Sequence, residues 1–146
     1  MAEVDLEHLR RVSVFAPLSP EQLEALVGAA ERMEHAAGET LTEEGAHGHR
    51  FHLLLEGEAV VDRGGRRVAT VRAGDFVGEV GLLGGGPSTA TVRCTAPTVT
   101  LALQRERFWD VLEREPTIAL RILEVVCRRL EREFRPDPRA NLGADA

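Results

Sequence analysis

The sequence predicts a mainly β fold with flanking α: an eight-stranded antiparallel jelly roll, or double-stranded β-helix, with N-terminal helices and two C-terminal helices. Three observations predict it. Across residues 38–103, short runs rich in aliphatic and β-branched residues are separated by glycine turns, the pattern of strands closing two sheets on one core. On either side of that stretch the apolar residues recur at helical spacing. A chain of 146 residues with 43% hydrophobic content is enough for one core.

The elements follow in order. Residues 6–14 are loosely helical. Ser19-Pro20-Glu21-Gln22 then signals a helix start, with Ser19 as N-cap, Pro20 at the first helical position and Gln22 closing a capping box. Leu23, Leu26, Val27 and Ala30 carry that helix through about Met33, and Gly38 marks the end of the helical region. Strands are expected at residues 40–43, 51–55, 58–62, 67–71, 89–93 and 98–103, with Gly45, Gly57, Gly64-Gly65, Gly74 and Pro97 between them. A helix over 105–114 follows, and Pro116 opens a second one with Ile118, Ile122, Val126, Leu130 and Phe134 at four-residue spacing. Pro136 and Pro138 stop it, so one domain is expected over residues 1–135 and a flexible polar tail over 136–146.

Bulk properties exclude several function classes. A net charge of −6 gives no positive field for nucleic acid or an anionic membrane. No stretch approaches a membrane span and the N-terminus carries no leader pattern, so a soluble cytoplasmic protein is expected. Cys94 and Cys127 lie in apolar stretches without metal spacing and read as buried free thiols. No serine nucleophile motif is present. Arg128, Arg129, Arg132 and Arg135 read as a solvated face that complements the helix dipole.

Residues 74–92 carry the candidate chemistry. Their middle offers a single carboxylate, Glu79, then a short apolar run, three glycines and Pro87-Ser-Thr-Ala-Thr91. Such a segment presents backbone N–H groups that suit an anion.

Gly38-Glu-Thr-Leu41 with Gly45, the run from Phe51 to Val60, Gly74-Asp-Phe-Val-Gly-Glu79, Leu82-Leu83, Pro87, Ala90-Thr91-Val92 and Arg107-Phe108 together resemble the cyclic-nucleotide-binding domain family. Catabolite activator proteins and cyclic-nucleotide-regulated kinases and channels carry this domain, and the resemblance covers roughly residues 6–132. It implies a regulatory or sensor module, not an enzyme, with no cofactor and cyclic AMP or cyclic GMP as ligand. An unknown protein effector would read it, since no helix-turn-helix output follows the roll. Carried across by motif, Gly78 and Glu79 would hold the ribose. The backbone of Gly81 or Leu82, with Thr89 and Ala90, would face the cyclic phosphate.

Two departures set further expectations. Where the family places a phosphate-pairing arginine, this chain has Ser88. A hydrogen bond to a charged group contributes about 1.5–3 kcal/mol, so nucleotide is expected to bind weakly if at all unless Arg72 or Arg93 substitutes. The alternative is a degenerate module that keeps the roll for protein interaction and binds no nucleotide. The early stop of the last helix, which in the family often covers the purine and pairs with a partner subunit, points to a monomer or weak dimer. A third reading, a cupin-like metal-binding protein, is raised by His47, His49 and His52. It lacks a further histidine from a later strand, and on a strand His49 and His52 would face opposite sides, so no metal is expected.

Overall fold

The computed structural model describes residues 6–12 and 14–134. The tail expected at 136–146 lies outside these residues. The described residues open with α1 (Leu6–Val12) and α2 (Pro20–Ala29). The capping box at the start of α2 is realised: Gln22 N donates to Ser19 Oγ at 3.2 Å, and Ser19 N donates to Gln22 Oε1 at 2.8 Å.

α2 ends earlier than the apolar spacing suggests. Ala30 turns extended at φ −95°, ψ 157°, and Glu31–His35 form β1. These residues have no strong intrinsic preference for a strand. They become one because they pair over five positions with the final strand of the roll, whose edge would otherwise stay open.

There follow β2 (Thr40–Thr42), β3 (Phe51–Glu56), β4 (Glu58–Arg63), β5 (Arg66–Arg72), the two-residue β6 (Phe76–Val77), the short α3 (Glu79–Gly84), β7 (Thr91–Cys94) and β8 (Thr98–Leu103). Helices α4 (Arg105–Arg114) and α5 (Pro116–Phe134) complete the described residues. All pairings are antiparallel, in two four-stranded sheets ordered β1-β8-β3-β6 and β2-β7-β4-β5. This is the jelly roll with flanking helices that the sequence predicts.

The apolar interior is divided. A small cluster, Leu54, Ala59, Val71, Val77 and Val92, fills the roll between the sheets. The larger cluster joins the β1-β8-β3-β6 sheet to the helices. At its centre Phe51 stacks on Phe108 of α4 at 4.7 Å and meets Phe76 at 5.3 Å, and Phe76 in turn stacks on Phe15 at 5.9 Å. Each such ring, fully buried, contributes about 1.5–3 kcal/mol, so the helices are firmly seated on this sheet.

Two expectations about side chains are corrected. Cys94 is buried, but Cys127 is exposed. On α5 the buried residues are Ile118, Ile122 and Val125, whereas Leu130 and Phe134 are exposed. Strict four-residue spacing drifts by about 40° per step on a helix of 3.6 residues per turn, so residues 118 and 134 cannot share a face. No described helix is long and apolar enough to cross a membrane.

Candidate functional site

The site is built on the turn from β6 into α3. β6 hangs on β3 by two residue pairs. Gly78 then takes φ +93°, and a Cβ there would collide with the Arg50 carbonyl oxygen. Only glycine fits this position, and the turn it allows starts α3 with Glu79 as its first residue.

Glu79 is buried inside the fold, with its side chain 6% exposed, and is paired from a distance of 50 residues. Arg129 on α5 donates from Nη1 to Glu79 Oε1 at 3.0 Å and from Nη2 to the Phe76 carbonyl at 2.7 Å. Its guanidinium lies 4.5 Å over the Phe76 ring, a favourable cation–π placement. Burial pushes the Glu79 carboxyl above its ordinary range, while the Arg129 charge, hydrogen bonds from its own amide and from Arg129, and the charge of His49 pull it back in part. The reading of Arg129 as part of a solvated face is therefore wrong: its side chain is only 29% exposed and is held by three contacts.

Two further residues hold α3. His49, in the loop between β2 and β3, lies 3.1 Å from the Gly78 carbonyl through Nε2. That bond requires the proton on Nε2, and His49 Nδ1 is buried with no partner. The imidazole packs so closely on Gly81 that a Cβ there would come within 2.8 Å of Nε2 and 2.9 Å of the Pro87 carbonyl oxygen. At the other end, Trp109 of α4 donates its indole N–H to the Leu82 carbonyl at 3.2 Å.

The second half of the loop is more closed. Ser88 is 6% exposed, and its hydroxyl donates to the Ala90 carbonyl at 2.8 Å. Its backbone is tied to Ala46 and Gly45 by bonds of 2.9 and 2.8 Å. Ala90 is buried and Thr89 exposed; the Thr89 carbonyl accepts from Arg63 Nε at 3.2 Å. The local bond of Ser88 also accounts for β7 starting at Thr91 and not at Thr89. Arg72 pairs with Glu58 at 3.3 Å, and Arg93 is exposed on β7.

Seven residues were predicted at the site. Gly78, Glu79, Gly81 and Leu82 lie at the start of α3, while Ser88, Thr89 and Ala90 lie on the return segment, which meets α3 where the Pro87 carbonyl approaches Gly81. Across the roll, Val61 packs with the interior cluster, yet its cross-strand partner Ala69 is exposed. Directly paired residues share a face, so the inner surface of β4 and β5 is open to solvent at this level.

The three histidines serve different neighbours. His52 is buried and bonded to Thr100 at 3.0 Å, His49 faces α3, and His47 is exposed. Among the described residues no group of three or more His, Cys, Asp or Glu is arranged to hold a metal.

The residues that pattern reading missed are Arg129 and His49. A signal for Arg129 exists: residues 118, 122, 125 and 129 follow the 4-3-4 spacing of one helical face, and the first three are buried. An arginine on an apolar stripe needs a partner. Nothing in the sequence marks His49 as a neighbour of Gly81.

Comparison with known proteins matches residues 32–115 to the family described as "Cyclic nucleotide-binding domain". The chain is 33% identical over 104 residues to a cAMP-dependent protein kinase regulatory subunit of Hypocrea atroviridis, covering 71% of this chain and 22% of that protein. Among solved structures, the catabolite activator protein of Thermus thermophilus is similar with a TM-score of 0.74 at 27% identity, covering 90% of this chain and 61% of that one. The regulatory domain of Toxoplasma gondii PKA, determined with cAMP, is similar with a TM-score of 0.65 at 28% identity, covering 75% and 46%. The chain thus spans a small part of its curated relatives' length, 22% of the regulatory subunit and 9% of a cGMP-dependent protein kinase of Eimeria tenella.

Proposed function

Since this chain belongs to the cyclic nucleotide-binding domain family, we propose that it is a ligand-sensing regulatory module and not an enzyme, with cyclic AMP or cyclic GMP as ligand and a protein effector reading the bound state. The observation that carries this reading is Glu79: a buried carboxylate on the first turn of α3, fixed by the Gly78 turn and by Arg129. A carboxylate so placed accepts a hydrogen bond from a ribose hydroxyl, and the open inner face at Val61 and Ala69 leaves apolar surface for a purine. The bound cAMP of the Toxoplasma regulatory domain supports the ligand class.

Affinity is proposed to be low. Ser88 brings no charge to the phosphate, and its hydroxyl is already committed to Ala90. That same commitment favours a second reading, in which the roll persists as a protein-interaction module without nucleotide. Titration calorimetry with both cyclic nucleotides to millimolar concentration separates the two. Measurable heat that disappears in Glu79→Ala supports the sensor; absence of heat and of thermal shift removes it. In a sensor, Ser88→Arg strengthens binding about tenfold or more by restoring a charge-assisted pair.

A further inference from the structure

A cleft of about 320 Å³ shares Gly81 and Leu82 with the loop described above, but Glu79, Ser88, Thr89 and Ala90 take no part in its lining. We propose that this cleft is a second binding site, for a small phosphate-bearing anion. It goes beyond the nucleotide reading and does not depend on it.

The charge of the lining is the first argument. Arg50, Arg105, His47 and His49 border the cleft against a single carboxylate, Glu106. In a chain of net charge −6 this is a local reversal of sign, and a concave surface of one sign concentrates counter-ions. The same positive field is felt next door: after burial and His35, the charges of Arg50 and His49 help hold His52 at a pKa of about 3.

The donors are also free. Arg105 is exposed and has no hydrogen bond or ion pair among the described residues, and its guanidinium would lie 3.6 Å from a Cβ on Gly85. Among the described residues Arg50 has only a 3.7 Å contact with the Met33 sulfur. Gln104 and Glu106 bring the start of α4 to the cleft. Gln104, the N-cap of this ten-residue helix, makes no side-chain cap, so the amides of the first turn lack a side-chain acceptor. His49 also lines the cleft; with its proton on Nε2, its buried, unpartnered Nδ1 is an acceptor and adds no donor. An anion here would draw on two guanidiniums and uncapped amides together. Because His49 also contacts the Gly78 carbonyl and Gly81, occupancy would bear on the position of α3.

The test is amide NMR of the full chain, titrated with inorganic phosphate and with pyrophosphate at constant ionic strength. Saturable shifts are expected at Gly85, Gly86, Arg105 and Glu106. Arg105→Glu, at an exposed position that leaves the fold intact by Trp109 fluorescence, is expected to weaken binding at least tenfold. The proposal is overturned if no saturable shift appears at tens of millimolar, if shifts are confined to Glu79 and residues 88–90, or if Arg105→Glu binds as well as the parent. Cyclic AMP shifting Glu79 while phosphate leaves Arg105 unmoved would overturn this site and leave the nucleotide reading intact.

Discussion

Arg129→Ala tests whether α5 holds α3 in place. The change removes the 3.0 Å pair with Glu79, the 2.7 Å bond to the Phe76 carbonyl and the cation–π contact at 4.5 Å. Taking one partner from a buried ion pair costs about 3–5 kcal/mol, because the remaining charge is stranded. Arg129 is 29% exposed, so water reaches part of the vacated space and the lower end applies. The contacts are not additive; the expected loss is about 2–4 kcal/mol, or roughly 6–12 °C in Tm for a chain of this size. The sign of the pH dependence follows from Glu79, whose carboxyl burial already raises. Without Arg129 it rises further, so the folded variant binds a proton that the unfolded chain has released, and stability falls as pH increases through that window. The loss is therefore larger near about pH 8 than near about pH 5. Urea denaturation followed by the fluorescence of the single tryptophan, Trp109, and by circular dichroism reads all of this. A cycle with Glu79→Gln should give a coupling of about 1–3 kcal/mol. A loss below about 0.5 kcal/mol, flat with pH and without coupling, would refute the clamp.

Two other predictions follow. His52 is held at about 3 by burial and by its neighbours His35, Arg50 and His49, against about 6.5 in the unfolded chain. The unfolded state thus takes up a proton that the folded state refuses, so this contribution to stability is full above 6.5 and is lost as pH falls toward 3, reaching a loss of about 2–3 kcal/mol near pH 4.5. In His52→Gln the slope of urea midpoint against pH should flatten; an unchanged slope assigns the acid sensitivity elsewhere. Gly78→Ala forces a side chain into the left-handed region and onto the Arg50 carbonyl, with an expected loss of about 3 kcal/mol or more and no response to cyclic nucleotide. Gly84→Ala, with open space around it, is the control, and equal stability of the two variants contradicts the role given to Gly78.

The fold was legible where local chemistry and tertiary context agree. The Ser19 capping box, the strands between glycine turns and the Pro116 helix start were all readable because a few adjacent residues decide each of them. β1 was not, since Glu31-Arg-Met-Glu-His suits a helix as well as a strand, and the open edge of β8 makes the choice. β6 has two residues, too few to leave a period. At the site, the loop from Gly78 to Ala90 was visible as a motif, but what braces it was not. Arg129 was masked by its basic neighbours and by four-residue spacing that drifts around the helix. His49 was masked by a histidine cluster whose members contact different parts of the fold.

α3 has six residues, too few to be stable by itself given the cost of helix nucleation. Its position must come from outside, and three distant segments supply it: His49 at the Gly78 carbonyl, Trp109 at the Leu82 carbonyl and Arg129 at the Glu79 carboxylate. Only the last of these engages the group proposed to meet a ribose. A ligand hydroxyl on Glu79 therefore acts on the ion pair that ties the start of α3 to α5, whereas the Phe51 and Phe108 stack keeps α4 on the sheet regardless. If the nucleotide reading is right, cyclic AMP should change hydrogen exchange in α5 around Arg129 while leaving the first turns of α4 unaffected. Equal changes in both helices, or none in α5, would mean that Glu79 does not link ligand to helix.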